Sequence, residues 1–129
     1  MMKRLLLVAA IAGCGGPTTP PTEVRSSLRR AIETPVESAE QAAELSRLVE
    51  AALEDDVFRR MRRSEVEDAV GRGDDCARHP RCQQNGFADN DWFYEVGQPI
   101  GGFPGPVPIM IIGFDREGRA DKAWNLRVH

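Results

Sequence analysis

The chain has 129 residues, with 17 basic and 20 acidic side chains and three cysteines. That length allows one small domain plus a tail, and such a domain buries roughly two-thirds of its unfolded surface, a modest core that a covalent staple would help. The slightly acidic balance, with no basic stripe interleaved with aromatics, excludes nucleic acid as the expected partner.

Met1-Met2-Lys3-Arg4 is positively charged, Leu5 to Ile11 is a short apolar run, and Ala12-Gly13-Cys14 closes it with small residues. This is the pattern of a bacterial secretion signal. The run is too short to cross a bilayer, which takes about 20 apolar residues. Ile11-Ala12-Gly13-Cys14 resembles the lipobox of bacterial lipoproteins, in which the cysteine receives a lipid and becomes the new N-terminus. The resemblance implies a leader over residues 1–13, lipidation at Cys14, and a membrane anchor outside the cytosol, with the covalent lipid as the one attached group and no other cofactor. Gly15 follows the cysteine where Asp would retain such a protein at the inner membrane, which implies the outer membrane. An ordinary cleaved signal with a chance cysteine, and a buried core helix over the same residues, are the alternatives. Loss of Lys3 and Arg4 with the leader leaves a mature charge of about −5.

Residues 14–23 are rich in Gly, Pro and Thr and read as an extended tether reaching roughly 20 Å. Residues 24–58 read as a helical segment. Val24, Leu28 and Ile32 recur every fourth residue up to Pro35. Ser38-Ala39-Glu40-Gln41 fits a capping box, and Leu45, Leu48, Val49, Ala52, Leu53 and Val57 then share one face of a helix ending near Phe58. Ser64-Glu65-Val66-Glu67 fits a second capping box, opening a short helix that Gly71 closes. From Arg72 to Asn90 the composition turns to Gly, Asp, Pro and Asn, a loop of about 19 residues that needs tying down.

The cysteines supply a tie. An odd count in an exported protein needs explaining, and lipidation of Cys14 leaves Cys76 and Cys82 as a pair around a turn-forming stretch. In an oxidising compartment they are expected to form a disulfide, adding about 2–3 kcal/mol through chain entropy. Zinc held by Cys76, His79 and Cys82 is the weaker alternative, because structural zinc normally takes four ligands. Calcium among Asp74, Asp75, Asp89 and Asp91 matches no loop motif.

The rest reads as strands. Trp92, Tyr94 and Val96 alternate with Phe93 and Glu95, Val107 to Phe114 is apolar on both faces, and Asp115-Arg116-Glu117-Gly118 is a turn. Arg119 to Val128 alternates, with Ala120, Trp124, Leu126 and Val128 on one face and Lys122 as an intruder there. Strands in this order predict a three-stranded antiparallel meander with the helices on one face, a two-layer α+β domain. Trp92, Tyr94 and Trp124 then point into the core.

Arg60-Met61-Arg62-Arg63-Ser64-Glu65-Val66 with Val70-Gly71, then Asp91-Trp92-Phe93-Tyr94, then Phe114-Asp115-Arg116-Glu117-Gly118 resemble, in order, three signatures of the SmpA/OmlA (BamE-like) domain. The resemblance covers about residues 60–128 and implies an α+β domain over 59–129 with two helices on a three-stranded antiparallel sheet. Arg60 stands where the signature usually has Gly, and residues 24–58 have no counterpart in it. The best-known members are outer-membrane lipoproteins that assist the β-barrel assembly machinery, so the resemblance implies a role as a protein-binding module of the envelope. A secreted or anchored inhibitor-like domain that blocks an enzyme is the alternative.

Catalytic signals are thin. His79 and His129 are the only histidines, Ser38 and Ser64 read as helix caps, and neither a nucleophile elbow nor a phosphate loop appears. The expectation is therefore a non-enzymatic protein whose partners are the membrane, through its lipid, and envelope proteins. Phe87, Phe93 and Phe103 are the candidate partner-binding residues. Phe93 shares a strand face with Glu95, and the other two lie in Gly/Pro-rich loops.

Overall fold

The computed structural model describes residues 19–126. The leader, Cys14, the start of the tether, Val128 and His129 lie outside them. The elements are α1 (Pro21–Ile32), β1 (Pro35–Val36), α2 (Ala39–Glu54), α3 (Arg63–Val70), β2 (Asp74–Asp75), a 3-10 turn (Cys76–Arg78), α4 (Pro80–Gln84), β3 (Trp92–Glu95), β4 (Gln98–Pro99), β5 (Ile109–Phe114) and β6 (Ala120–Leu126).

Helix α1 starts three residues before the expected Val24, inside the stretch read as tether. Pro20 is its N-cap and Pro21 opens it, with φ already fixed for a helix. Its buried residues Val24, Leu28 and Ala31 form one stripe. Arg25 donates to the Val57 carbonyl at 2.6 Å and Arg29 to the Asp68 carbonyl at 3.1 Å, fastening α1 to the segments that follow. The Ser38 capping box is present: Ser38 Oγ accepts from the Gln41 N–H at 3.2 Å, and Gln41 Oε1 accepts from the Ser38 N–H at 3.2 Å. Helix α2 stops at Glu54 rather than near Phe58, because Asp56 adopts a left-handed backbone (φ 52°). Val57 and Phe58 enter the core from the turn that follows. Helix α3 begins earlier than the Ser64 box predicts. Arg62 is its N-cap, and Glu65, not Glu67, folds back to accept from the Arg62 N–H at 2.8 Å. The cause lies across the chain: Arg62 is bridged to Arg119, and the Arg63 N–H donates to the Gly118 carbonyl at 3.2 Å.

The architecture is α+β, but the sheet is not a three-stranded meander. Strands β3, β5 and β6 do follow one another antiparallel, and β2 adds a fourth strand beside β3. Strands β1 and β4 form a separate parallel pair, Pro35 opposite Gln98 and Val36 opposite Pro99. Gly73 lets β2 approach, since a Cβ there would lie 2.8 Å from Trp92 Cβ and 2.9 Å from the Tyr94 ring.

Side chains of α1, α2 and α3 pack with Trp92, Tyr94, Met110, Ile112 and Ala120 in one core cluster. Residues 24–58 are therefore part of the domain's core, not a segment apart from it. The opposite face of the sheet is covered too: Cys76, Cys82 and Phe87 pack on Phe93, Ile109 and Ile111. Three layers result where two were expected, because the 76–90 loop lies across the sheet instead of beyond it.

One bulge decides the orientation of β6. Phe114 pairs with Ala120 and Gly113 with Lys122, so Asp121 is the extra residue. Ala120 faces the helices, but past the bulge the phase inverts. Trp124, expected in the core, pairs with Ile111 on the other face and is 52% exposed. Lys122 stands on that outer face with its ammonium 4.9 Å above the Phe87 ring.

Candidate functional site

The Cys76–Cys82 disulfide is present, with Cα atoms 5.5 Å apart and neither residue accessible to solvent. Proline at the first position of α4 turns the chain within this short ring. Joined sulfurs cannot also be thiolate ligands, so with Cys76 and Cys82 bonded to each other these two and His79 do not make a zinc set in this structure. His79 is stacked on Phe93, with centroids 3.7 Å apart and planes 7° apart, and its Nε2 lies 3.3 Å from Asp74 Oδ2. The four aspartates of the calcium alternative diverge: Asp74 meets His79, Asp75 pairs with Arg72, Asp89 accepts from Gln83, and Asp91 turns inward.

Asp91 is the one buried polar or charged side chain of the described core. Its Oδ2 accepts from the Ala88 N–H at 2.9 Å and its Oδ1 from the Phe114 N–H at 3.0 Å, tying the end of the covering loop to the end of β5. Nearby, the Arg63 guanidinium lies 4.1 Å from the Phe114 centroid and donates to the Asn90 carbonyl at 2.8 Å. Tyr94 donates to the Gly71 carbonyl at 2.8 Å, and burial pushes its hydroxyl pKa well above the ordinary range.

Two of the three candidate contact residues are withdrawn from the surface. Phe87 and Phe93 are each 6% exposed, because the disulfide-closed loop folds the first onto the sheet and covers the second. Phe103 alone remains at a surface. It lines an open groove of about 480 Å³ between α2, the Gly/Pro connection and the end of β6. The wall from α2 combines the small residues Ala39, Ala42, Ala43 and Ser46 with the charged Arg47 and Glu50, and it faces Pro106, Val107 and Pro108. Asn125 and Leu126 contribute from β6. The Nδ2 of Asn125 is buried and has no hydrogen-bond partner, the one such side-chain atom among the described residues. A buried amide without an acceptor costs about 1–3 kcal/mol, so it calls for a reason.

Trp124, Asn125 and Leu126 are not among the contact residues that the sequence suggests. Its alternation carried Trp124 inward because a bulge leaves almost no trace in composition. Lys122 on a supposedly apolar face was the available sign. The small-residue stripe at 39, 42, 43 and 46 was the sign of a shallow helix wall. No family model matches the chain, and no curated protein or solved structure was found to be similar to it. No described helix is long and apolar enough to cross a membrane.

Proposed function

We propose that this chain is a non-enzymatic, lipid-anchored outer-membrane protein whose domain binds other proteins of the cell envelope. The unpaired Asn125 amide on an apolar groove carries this reading. An extended protein segment lying in the groove sets apolar side chains against the alanines of α2, and a turn of the Asn125 side chain toward the groove brings its Nδ2, buried in the free domain, to a main-chain carbonyl of that segment. Exposed Trp124 on the other side of the same strand, and Phe103 at the groove, are aromatic contacts of the kind that dominate protein interfaces. The groove is lined chiefly by Ala, Pro, Gly, Val, Leu and Phe, with Arg47 and Glu50 of α2 as its charged members, a lining that offers apolar contact area beside a few polar groups.

The consecutive antiparallel strands β3, β5 and β6, with the Asp115–Gly118 turn between the last two, support the BamE-like resemblance, and through it the β-barrel assembly complex as the partner to test first. The anchor at Cys14 rests on the leader and the lipobox. Asn125→Leu separates binding from folding. Replacing an unsatisfied donor by an apolar group of similar size leaves the thermal midpoint unchanged or raises it. Cross-linked envelope complexes captured with the full chain should lose their principal adduct in this variant. Retention of the same adduct at the same yield would refute the groove as the binding site.

A further inference from the structure

The chain is acidic overall, yet the end of the sheet at the β5–β6 turn gathers arginines. Arg62 and Arg119 are direct partners in an isolated antiparallel bridge, so their side chains leave on one side, with Cβ atoms about 5 Å apart. Like charges placed directly opposite destabilise such a pair. Among the described residues, neither guanidinium lies within ion-pair distance of a carboxylate. Arg119 Nη1 instead donates to the Arg60 carbonyl at 3.0 Å. Arg60 is exposed and has a left-handed backbone (φ 59°), a conformation that favours glycine. It is held there by its neighbours: the Arg60 N–H donates to the Ala120 carbonyl at 2.9 Å, and the Met61 carbonyl accepts from the Ala120 N–H at 2.8 Å. Met61 packs against the core while Arg60 and Arg62 are exposed on either side of it. One carboxylate, Asp115, feels both Arg60 and Arg119, but its Oδ1 already accepts the N–H groups of Glu117 and Arg119. Glu65, at the start of α3, is turned to the Arg62 N–H.

We infer that Arg60, Arg62 and Arg119 form a recognition site for an acidic segment of a partner protein, one with carboxylates at alternate positions of an extended chain. Alternate residues of an extended peptide sit about 6.6 Å apart on one side, so one carboxylate can meet the Arg62–Arg119 pair while the next lies within reach of the exposed Arg60 side chain. A carboxylate bridging Arg62 and Arg119 accepts bidentate hydrogen bonds and removes the repulsion between them. The inference rests on reading the chain as a protein-binding module, but uses a surface at the opposite end of β6 from the groove.

The test is fluorescence anisotropy with a labelled peptide of alternating Glu and Ser, using the full chain in detergent. Arg62→Gln with Arg119→Gln should weaken binding at least tenfold, with an affinity in the native protein that falls as salt rises. Arg62→Gln alone, which keeps the Arg119 hydrogen bond to Arg60, should weaken it at least threefold and covers the case in which the double variant does not fold. Asn125→Leu should leave peptide affinity unchanged. The inference is overturned by no peptide binding to the native chain, by equal affinity in the arginine variants, or by binding to phosphatidylglycerol vesicles in its place. Loss of peptide binding in Asn125→Leu, with none in the arginine variants, overturns this site while leaving the groove standing.

Discussion

Among the described residues, 15 buried ones on the helix side of the sheet, drawn from α1, α2, α3, their connections and the strands, share one core, while six on the other side do, two of them the joined cysteines. The helix side is held by apolar area contributed from the whole length of the chain. The outer side is held by a crosslink spanning six positions, a stacked histidine and the two backbone hydrogen bonds of Asp91. Long-range burial makes a core that fails as a unit. Short-range closure makes a cover that can fail alone, with the strand beneath it still hydrogen-bonded to its neighbours.

Substitutions that test this contrast differ in size and reach. Ile112 is fully buried against the helices, and Ile112→Ala should cost about 3–4 kcal/mol in chemical denaturation and lower protection from hydrogen exchange everywhere. Cys76→Ser with Cys82→Ser should cost about 2–3 kcal/mol. Its effect on exchange should concentrate in residues 74–93, with α1 and α2 little changed. If both variants lose protection uniformly, the two faces are not separable. Asp91→Ala leaves the Ala88 and Phe114 N–H groups without their acceptor and should cost about 2 kcal/mol, read as a lower denaturation midpoint with the disulfide intact.

The smallest effect is on pH dependence. Burial raises the Tyr94 hydroxyl above its ordinary value of 10.0, so the folded chain keeps a proton that the unfolded chain releases first. The resulting stability is complete below pH 10 and falls away as pH rises beyond it. Tyr94→Phe should flatten that alkaline decline. An alkaline decline of equal slope in the variant would place its cause elsewhere.

Most of the helix side was legible because its signals are local and periodic. The stripe of Val24 and Leu28, the Ser38 box and the face holding Val49 and Ala52 all act within a few residues of one another. The Asp115 turn was equally plain, since Gly118 supplies its left-handed position (φ 78°). The cysteine pairing was legible from count and spacing, but its burial against Phe93 was not, because nothing local tells a loop to fold over a sheet. Strand β2 is two aspartates long and becomes a strand only through pairing with Trp92 and Phe93. The parallel pairing of β1 with β4 joins positions more than 60 residues apart and has no local signature. The start of α3 was misplaced for the same reason, since the bridge from Arg62 to Arg119 overrides the Ser64 box. The groove combines both problems, as its alanine wall lies in one half of the chain and Asn125 beyond a bulge in the other.

The most direct test of a protein-binding groove is photo-cross-linking in intact cells from an unnatural side chain at Phe103, with Glu67 on the exposed face of α3 as the control position. The account predicts a single discrete envelope-protein adduct from position 103, absent from position 67 and lost when Asn125→Leu is added. Adducts of equal pattern from both positions, or none from position 103, would contradict it.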